Sequence, residues 1–303
     1  MKTNRKGIIL AGGSGTRLYP LTNGVSKQLL PVFDKPMIYF SLSAMMLANI
    51  KDILIISTPA DLPLIKSMLG DGSKFGISLS YEIQHKPAGI AEALIIAEKF
   101  LNRNKSALIL GDNLFFGQDL TSILVDSYKQ AKGSRIFGYQ VKNPESFGVV
   151  QFEKNKKIIS IEEKPKQPKS NYIIPGMYFF DEDASNYAKK LKPSKRGELE
   201  ITDLIKTYHS KNLLQLELLG RGTSWIDMGT IESLNLATNF VKDMQSIQGN
   251  QIANIDEIAF RKGWISESKL RENISEMGDS NYRRYLLLML KNSSHLNNYL
   301  CVE

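Results

Sequence analysis

One segment constrains the fold and function of this chain more than any other: KGIILAGGSGTRLYPLTNGVSKQLLP, residues 6–31. Its apolar run of Ile8, Ile9 and Leu10 ends in small residues, which predicts a buried β-strand. The loop that follows is rich in glycine and small hydroxyl residues: Gly12, Gly13, Ser14, Gly15 and Thr16. Such a loop can point several backbone N–H groups at an anion. Arg17 and Lys27 add two cations, so the segment predicts a polyphosphate-binding loop.

Two common phosphate-binding motifs do not fit this loop. A P-loop requires G-x-x-x-x-G-K-[ST], but Gly12 is followed five residues later by Arg17. A dinucleotide-binding loop requires G-x-G-x-x-G, but Leu18 stands at the third glycine and Pro20 prevents a helix from starting there. The sequence therefore excludes a P-loop ATPase and an ordinary NAD enzyme.

The patterns G-G-x-G-T-R-L-x-P-L-T and S-K-Q-L-L-P resemble the signature of the sugar-phosphate nucleotidyltransferases, and more narrowly of the thymidylyl-transferring branch. The resemblance covers residues 4–290. It implies a three-layer α/β/α Rossmann-like fold with a mixed, mainly parallel sheet and a helical C-terminal part. The implied reaction joins dTTP and α-D-glucose 1-phosphate into dTDP-glucose and pyrophosphate with the help of Mg²⁺. That reaction is the first step of dTDP-rhamnose-type deoxysugar synthesis.

Composition narrows the class of partner. The chain has 303 residues, 42% of them hydrophobic, which is enough for a large core. Its net charge of +8 suits phosphate-rich ligands, and the scattered cations favour small anions over nucleic acid. A single cysteine, Cys301, agrees with a cytoplasmic protein. No apolar stretch reaches the ~18 residues of a membrane-spanning helix.

The order of predicted elements suggests two halves and a tail. Strands and helices alternate through residue 133, with a helix start at Pro36 and one helix over residues 90–101. This alternation predicts parallel strands with right-handed crossovers. We expect one domain over residues 1–240, with a nucleotide half at 1–133 and a sugar-phosphate half at 134–240. Residues 241–303 are expected to be a helical region with regulatory or subunit contacts.

A glutamine and a glycine turn are the predicted base-recognition elements. Gln84 ends a predicted strand, and its amide can both donate and accept toward a pyrimidine. By resemblance, Gly89, Gln28 and Asn113 also bind the nucleotide, although Ala88 stands where related proteins often carry an acid. The amides favour thymine or uracil and do not separate the two bases.

Two aspartates are the predicted metal ligands. Asp112 follows the apolar run 107–110, and the carboxyl ends of strands are where open α/β sheets bind ligands. The alternative role is to cap the following turn. By resemblance, Asp227 in W-x-D-x-G-T is the second ligand. Carboxylates and substrate phosphates are ligands that Mg²⁺ favours.

The sugar-phosphate ligands are inferred from resemblance to E-E-K-P and neighbouring blocks. Glu163 is assigned to sugar hydroxyls, Lys164 to the phosphate and Tyr178 to the sugar pocket, unless Tyr178 is only a core aromatic. The full set of positions is Gly148, Glu163, Lys164, Ile173, Tyr178 and Arg196. Catalysis is assigned to Arg17, Lys27 and Lys164 through alignment and charge neutralisation.

Resemblance also implies regulation and assembly. Arg221, Glu257 and Arg261 match a second nucleotide-sugar site at a subunit contact in a homotetramer. An ordinary i,i+4 pair between Glu257 and Arg261 on a surface helix explains the same residues. Three rival functions remain open: a UTP- or CTP-using enzyme, a catalytically silent nucleotide-sugar sensor, and a nucleic-acid binder suggested only by the net charge.

Overall fold

A computed structural model of the chain describes residues 4–13 and 15–293, so Ser14 and Cys301 lie outside the described residues. The strands are β1 (Arg5–Ala11), β2 (Pro31–Val32), β3 (Lys35–Pro36), β4 (Asp52–Ser57), β5 (Ser78–Ile83), β6 (Lys105–Leu110), β7 (Asn113–Gly117), β8 (Ser134–Gln140), β9 (Gly148–Phe152), β10 (Ile158–Glu163), β11 (Tyr172–Ile173), β12 (Met177–Phe180), β13 (Leu214–Leu218) and β14 (Thr223–Asp227). The helices are α1 (Ile38–Leu47), α2 (Leu62–Leu69), α3 (Glu92–Ile96), α4 (Glu98–Leu101), α5 (Leu120–Lys129), α6 (Ala184–Ala188), α7 (Ile201–Ser210), α8 (Ile231–Gln248), α9 (Ile255–Arg261), α10 (Glu267–Ser275) and α11 (Asn281–Ser293).

A ten-stranded sheet runs through the described part of the chain in the order β10-β9-β11-β8-β12-β6-β1-β4-β5, with β13 paired to β8. Strands β1, β4, β5 and β6 pair in parallel. Strand β12 lies antiparallel between β6 and β8. It joins this parallel part to the rest of the sheet, which consists of β8, β9, β10, β11 and β13 in mixed directions. Seven strands run in one direction, and β10, β11 and β12 run in the other. The predicted mixed, mainly parallel sheet is confirmed.

Alternate residues of the central strands enter two cores. In β1, Ile9 and Ala11 pack on one face with α1, α2 and the C-terminal helices, whereas Ile8 packs on the other face with α3, α6 and α7. Because both faces are covered by helices, the strand is apolar at successive positions rather than alternating with polar residues. The predicted three-layer α/β/α fold with a helical C-terminal part is confirmed.

Two helix predictions were wrong in detail. Pro36 does not start a helix, because it lies in β3 and pairs with Pro31 in a small hairpin, and α1 begins at Ile38. The single helix expected over residues 90–101 is divided into α3 and α4. Helix α8 runs across position 240, where the sequence suggested that the α/β domain ends.

A two-stranded ribbon outside the main sheet was not predicted. Strands β7 and β14 pair antiparallel, with Asp227 opposite Asn113. The ribbon packs through Leu114 and Ile226 in a third apolar cluster with α8 and the loop residue Leu18. Tertiary pairing therefore brings together two segments more than 100 residues apart in the sequence. None of the described helices has the length and apolar character needed to cross a bilayer.

Candidate active site

Two adjoining cavities open at the carboxyl ends of β1 and β6, where parallel sheets place ligands. The larger has a volume of about 580 Å³ and the smaller about 190 Å³. Asp112 lines both cavities. Predicted residues on the larger cavity are Arg17, Asp112, Asn113, Gly148, Glu163, Lys164, Tyr178, Arg196 and Asp227. Predicted residues on the smaller cavity are Gly12, Gly13, Gln28, Gln84, Gly89 and Asp112.

The glycine loop after β1 is shaped by close contacts. A Cβ atom at Gly12 would lie 2.2 Å from Oε1 of Gln84, so only glycine fits there without displacing that amide. Gly15 has a φ of 62°, and its carbonyl accepts a 3.0 Å hydrogen bond from Thr22. Thr16 begins a short 3₁₀ turn that directs Arg17 toward the larger cavity. The loop therefore requires glycine for both conformation and space.

Arg17 lies beside the second predicted acid. A Cβ atom at Gly229 would lie 2.7 Å from Nη2 of Arg17 and 3.1 Å from Oδ2 of Asp227. The glycine of W-x-D-x-G-T thus leaves the space in which this guanidinium approaches the carboxylate. The electrostatic influence of Arg17 opposes protonation of Asp227.

Lys27 forms an ion pair with Asp112. Its Nζ donates to Oδ2 of Asp112, and its side chain is only 6% exposed. Lys27 opens a second 3₁₀ turn and lies close to the glycine loop, since a Cβ atom at Gly15 would be 3.3 Å from the Cβ of Lys27. A nearly buried ammonium held against a carboxylate is fixed in position without rotameric freedom, which is the arrangement that electrostatic catalysis requires.

Asn113 and Trp225 hold Asp112 in place. The side-chain nitrogen of Asn113 donates to Oδ1 of Asp112 at 2.9 Å. Its oxygen accepts from Nε1 of Trp225 at 2.7 Å and from the backbone of Gly176 at 3.2 Å. Asn113 was predicted to bind the nucleotide, and in this structure its amide is buried and orients the carboxylate. Sequence reasoning missed the role of Trp225, because only the β7–β14 pairing brings it to Asn113.

The two predicted metal ligands lie near each other. Burial and the negative charge of Asp112 together raise the pKa of Asp227 to about 6, while Lys27 and Arg17 lower it. A cation between two such carboxylates would relieve their repulsion. Among the described residues there is no cluster of three or more His, Cys, Asp or Glu side chains suited to a metal. Two carboxylates with oxygen ligands from substrate fit a hard divalent cation, which often binds in this way.

Four charged residues form a cluster in the sugar-phosphate half. Arg196 donates from Nη2 to both carboxylate oxygens of Glu200 at 2.8 Å and to Glu163 at 3.3 Å. Burial and the nearby charge of Glu200 raise the pKa of Glu163. Lys164 directly follows β10 and has a φ of 43°, and its backbone N–H donates to the carbonyl of Phe147. Sequence analysis did not single out Glu200, which lies immediately before α7 as its N-cap residue.

Two predicted sugar-pocket residues differ in their placement. Tyr178 lines the larger cavity although only 3% of it is exposed, and burial raises the pKa of its hydroxyl. It also packs on Phe180, so the pocket and core interpretations are both compatible with its position. Ile173 is completely buried in β11, and its neighbour Ile174 lines the cavity instead.

A third cavity of about 380 Å³ lies between the β7 end and the C-terminal helices. Glu257 and Arg261 line it and form a 2.7 Å ion pair, and Tyr285 donates to the other oxygen of Glu257 at 2.8 Å. Arg221, the third residue predicted for a regulatory site, is exposed in the turn before β14 and does not line this cavity. The structure therefore brings two of the three predicted residues together.

Known proteins with similar sequences identify the family of this chain. The profile of the family described as "Nucleotidyl transferase" matches residues 6–244. A glucose-1-phosphate thymidylyltransferase of Neisseria meningitidis serogroup A is 54% identical over 286 residues, 94% of this chain and 99% of that protein. One from Mycobacterium tuberculosis is 46% identical over 286 residues, with the same two coverages of 94% and 99%.

Solved structures show the same fold. A Bacillus anthracis protein assigned as a glucose-1-phosphate thymidylyltransferase, in complex with sucrose, has a TM-score of 0.73 and 42% identity. The match covers 79% of this chain and 96% of that one. A UDP-glucose pyrophosphorylase complexed with UDP-glucose has a TM-score of 0.71 over 80% of this chain and 99% of its own, but at 22% identity it shows the fold alone. The chain thus belongs to the nucleotidyl transferase family, in the branch of the glucose-1-phosphate thymidylyltransferases.

Proposed function

We propose that this enzyme transfers a thymidylyl group from dTTP to α-D-glucose 1-phosphate, giving dTDP-glucose and pyrophosphate. The observation that carries the proposal is the junction of two cavities at Asp112. The smaller cavity offers glycines and the amides of Gln28 and Gln84 to a base, and the larger offers cations and carboxylates to a sugar phosphate. The names of relatives that are 46–54% identical support this choice of substrates.

The reaction is an in-line displacement at phosphorus. A phosphate oxygen of glucose 1-phosphate attacks the α-phosphorus of dTTP, the bond to the bridging oxygen breaks, and pyrophosphate leaves with that electron pair. No side-chain nucleophile is required, so the enzyme acts by alignment and charge neutralisation. Arg17 and the glycine loop hold the pyrophosphate, Lys27 meets the α-phosphate, and Lys164 holds the attacking phosphate against the repulsion of the triphosphate.

We assign Mg²⁺ as the metal. Asp112 and Asp227 would hold it, and it would neutralise negative charge on the nucleotide phosphates. Lys27 forms an ion pair with Asp112, and the charges of Lys27 and Arg17 oppose the rise in the pKa of Asp227 that burial and Asp112 cause. Glu163 is assigned to sugar hydroxyls and Gly148 to the close approach of the sugar to the backbone, and both residues line the larger cavity.

Pyrophosphate release measures the proposal directly. Wild-type enzyme is assayed with glucose 1-phosphate and, in parallel, dTTP, UTP or CTP, with Mg²⁺ and after chelation. We expect the highest kcat/KM with dTTP and no release after chelation or without the sugar phosphate. Absence of turnover with every nucleotide, together with calorimetric binding of a nucleotide-sugar, would instead establish the sensor function.

Assembly and location complete the proposal. We infer a cytoplasmic homotetramer that supplies deoxysugar synthesis and binds a feedback nucleotide-sugar in the cavity of Glu257 and Arg261. The division at residues 133 and 240 is retained as a functional description of the nucleotide half, the sugar-phosphate half and the C-terminal region. Light scattering of the full chain tests the tetramer, and inhibition by added dTDP-sugars that leaves the KM for dTTP unchanged tests the separate regulatory site.

A further inference from the structure

The amide of Gln84 is held at the wall of the smaller cavity. Gln84 follows the last residue of β5, and its backbone N–H donates to the carbonyl of Ser57 at 2.8 Å. Only 4% of the residue is exposed, yet it lines the cavity together with Gly12 and Gln28. A side chain so enclosed reads a base by the one polar atom that it turns toward the cavity.

Glu92 determines which polar atom of the Gln84 amide is turned toward the cavity. Nε2 of Gln84 donates to Oε2 of Glu92 at 2.7 Å and lies 3.5 Å from the carbonyl oxygen of Gly89. A carboxylate and a carbonyl can only accept hydrogen bonds, so both partners require the amide nitrogen on their side. Oε1 therefore points the other way, against the Cα of Gly12, where an added Cβ would lie 2.2 Å from it.

We propose that Glu92 is a specificity-determining residue that makes the base pocket select pyrimidines carrying an N3–H. With its nitrogen bonded to Glu92 and turned toward the side of the Gly89 carbonyl, Gln84 presents its acceptor oxygen to the base. Thymine and uracil offer a hydrogen-bond donor at N3, whereas N3 of cytosine is itself an acceptor. The inference rests on the proposed function and deepens it, because it identifies the base class from this site.

Accepting cytosine would require the Gln84 amide to rotate by half a turn. Rotation would place Oε1 against the carboxylate of Glu92, and two acceptors in contact leave a buried polar group unsatisfied. Sites of this kind discriminate strongly, since the wrong ligand leaves enclosed polar atoms without partners. Glu92 thus acts on the base through Gln84 and is a positioning residue rather than a catalytic one.

Charge reversal at position 92 tests the inference. We would measure kcat/KM for dTTP, UTP and CTP in the wild-type enzyme and in Glu92→Lys, Glu92→Met and Glu92→Gln. A lysine can only donate, so it would draw Oε1 of Gln84 toward itself and turn Nε2 to the base. The expected result is a fall in the dTTP:CTP ratio of kcat/KM by at least about tenfold in Glu92→Lys. A smaller fall is expected in Glu92→Met, which offers no strong acceptor.

Glu92→Gln is the rescue variant, because its amide oxygen can still accept from Nε2 and should retain most of the discrimination. Glu82→Lys is the matched control, because Glu82 is exposed, lies two residues before Gln84 and does not line the smaller cavity. It changes net charge equally and is expected to leave the dTTP:CTP ratio within about twofold of wild type. Calorimetric binding of dTTP and CTP to each variant, without sugar phosphate, gives a readout that does not depend on turnover.

The outcomes separate the two proposals. If wild-type enzyme turns over neither dTTP nor UTP, the proposed function fails. If wild-type enzyme uses dTTP but the folded Glu92→Lys and Glu92→Met variants keep the wild-type dTTP:CTP ratio in both turnover and binding, this inference alone is overturned. A ratio that falls equally in Glu82→Lys would overturn it as well, because the effect would then be general electrostatics.

Discussion

The smaller cavity, which we propose binds the base, and the larger cavity, which we propose binds the sugar phosphate, adjoin at Asp112 but are built differently. Gln28 and Gln84 on the base side are 2% and 4% exposed, and the Gln84 amide donates to Glu92 and lies close to Gly12. Lys164 and Arg196 on the other side are 46% and 40% exposed. Under the proposed function, the base would therefore meet groups fixed through burial, whereas the sugar phosphate would meet side chains held mainly by ion pairs. From this difference we expect steric changes to affect the use of the nucleotide most, and changes of charge to affect the use of the sugar phosphate most.

The largest effect is expected where the two cavities meet. Lys27→Ala should lower kcat by about 10²–10³, as typically follows the loss of one preorganised charge contact. The variant also leaves Asp112 without its ion-pair partner. Single-turnover kinetics at saturating substrate measures the effect. Lys156→Ala, which removes an exposed surface ion pair with Glu217, is the matched control and should keep wild-type turnover. Near-normal turnover of Lys27→Ala would show that the cation at the junction of the two cavities is not required for catalysis.

A steric change on the base side comes next. Gly12→Ala places a Cβ atom 2.2 Å from Oε1 of Gln84. Overpacking of this kind costs about 1–3 kcal/mol, so we expect kcat/KM for dTTP to fall about 5- to 150-fold. In Gly13→Ala the new Cβ meets nothing within 4 Å, and the fall should be several-fold smaller. Equal losses in the two variants would show that shape does not govern base binding.

Removing a cation on the sugar-phosphate side should have a narrower consequence. Arg196→Ala frees Glu163 and Glu200 from their shared guanidinium. We expect the KM for glucose 1-phosphate to rise about tenfold and the KM for dTTP to change less than about twofold. Arg196→Lys should recover only part of the loss, because an ammonium cannot form the two-pronged contact with Glu200. A parallel rise in both KM values would contradict the separation of the two cavities.

The smallest effect is expected far from both cavities. Arg261→Ala removes the partly buried pair with Glu257 but leaves Tyr285 as a partner for that acid. The free energy of unfolding should fall by about 0.5–1 kcal/mol, measured by urea denaturation, with kcat unchanged. A large loss of turnover would mean that the C-terminal cavity belongs to the catalytic machinery.

The resemblance to the sugar-phosphate nucleotidyltransferases implied the three-layer fold, and the apolar runs and their spacing predicted the alternation of strands and helices through residue 133. This succeeded because strands buried on both faces, such as β1, need consecutive apolar residues that any globular chain must display. The glycine loop with Arg17 and Lys27 could likewise be recognised from the sequence, because its glycines and cations lie close together along the chain. Helix limits were predicted less accurately, because local pattern alone did not show that Pro36 pairs in a hairpin before α1 begins.

The sequence by itself determined which residue types this protein can bring to a polyphosphate and a sugar, because those types follow from its local motifs. Tertiary structure decided how they meet. The pairing of β7 with β14 set Asp227 opposite Asn113 and brought Trp225 to the Asn113 amide, and the approach of Glu92 fixed the orientation of the Gln84 amide. Such contacts join residues through burial and hydrogen-bond geometry, which no linear spacing records.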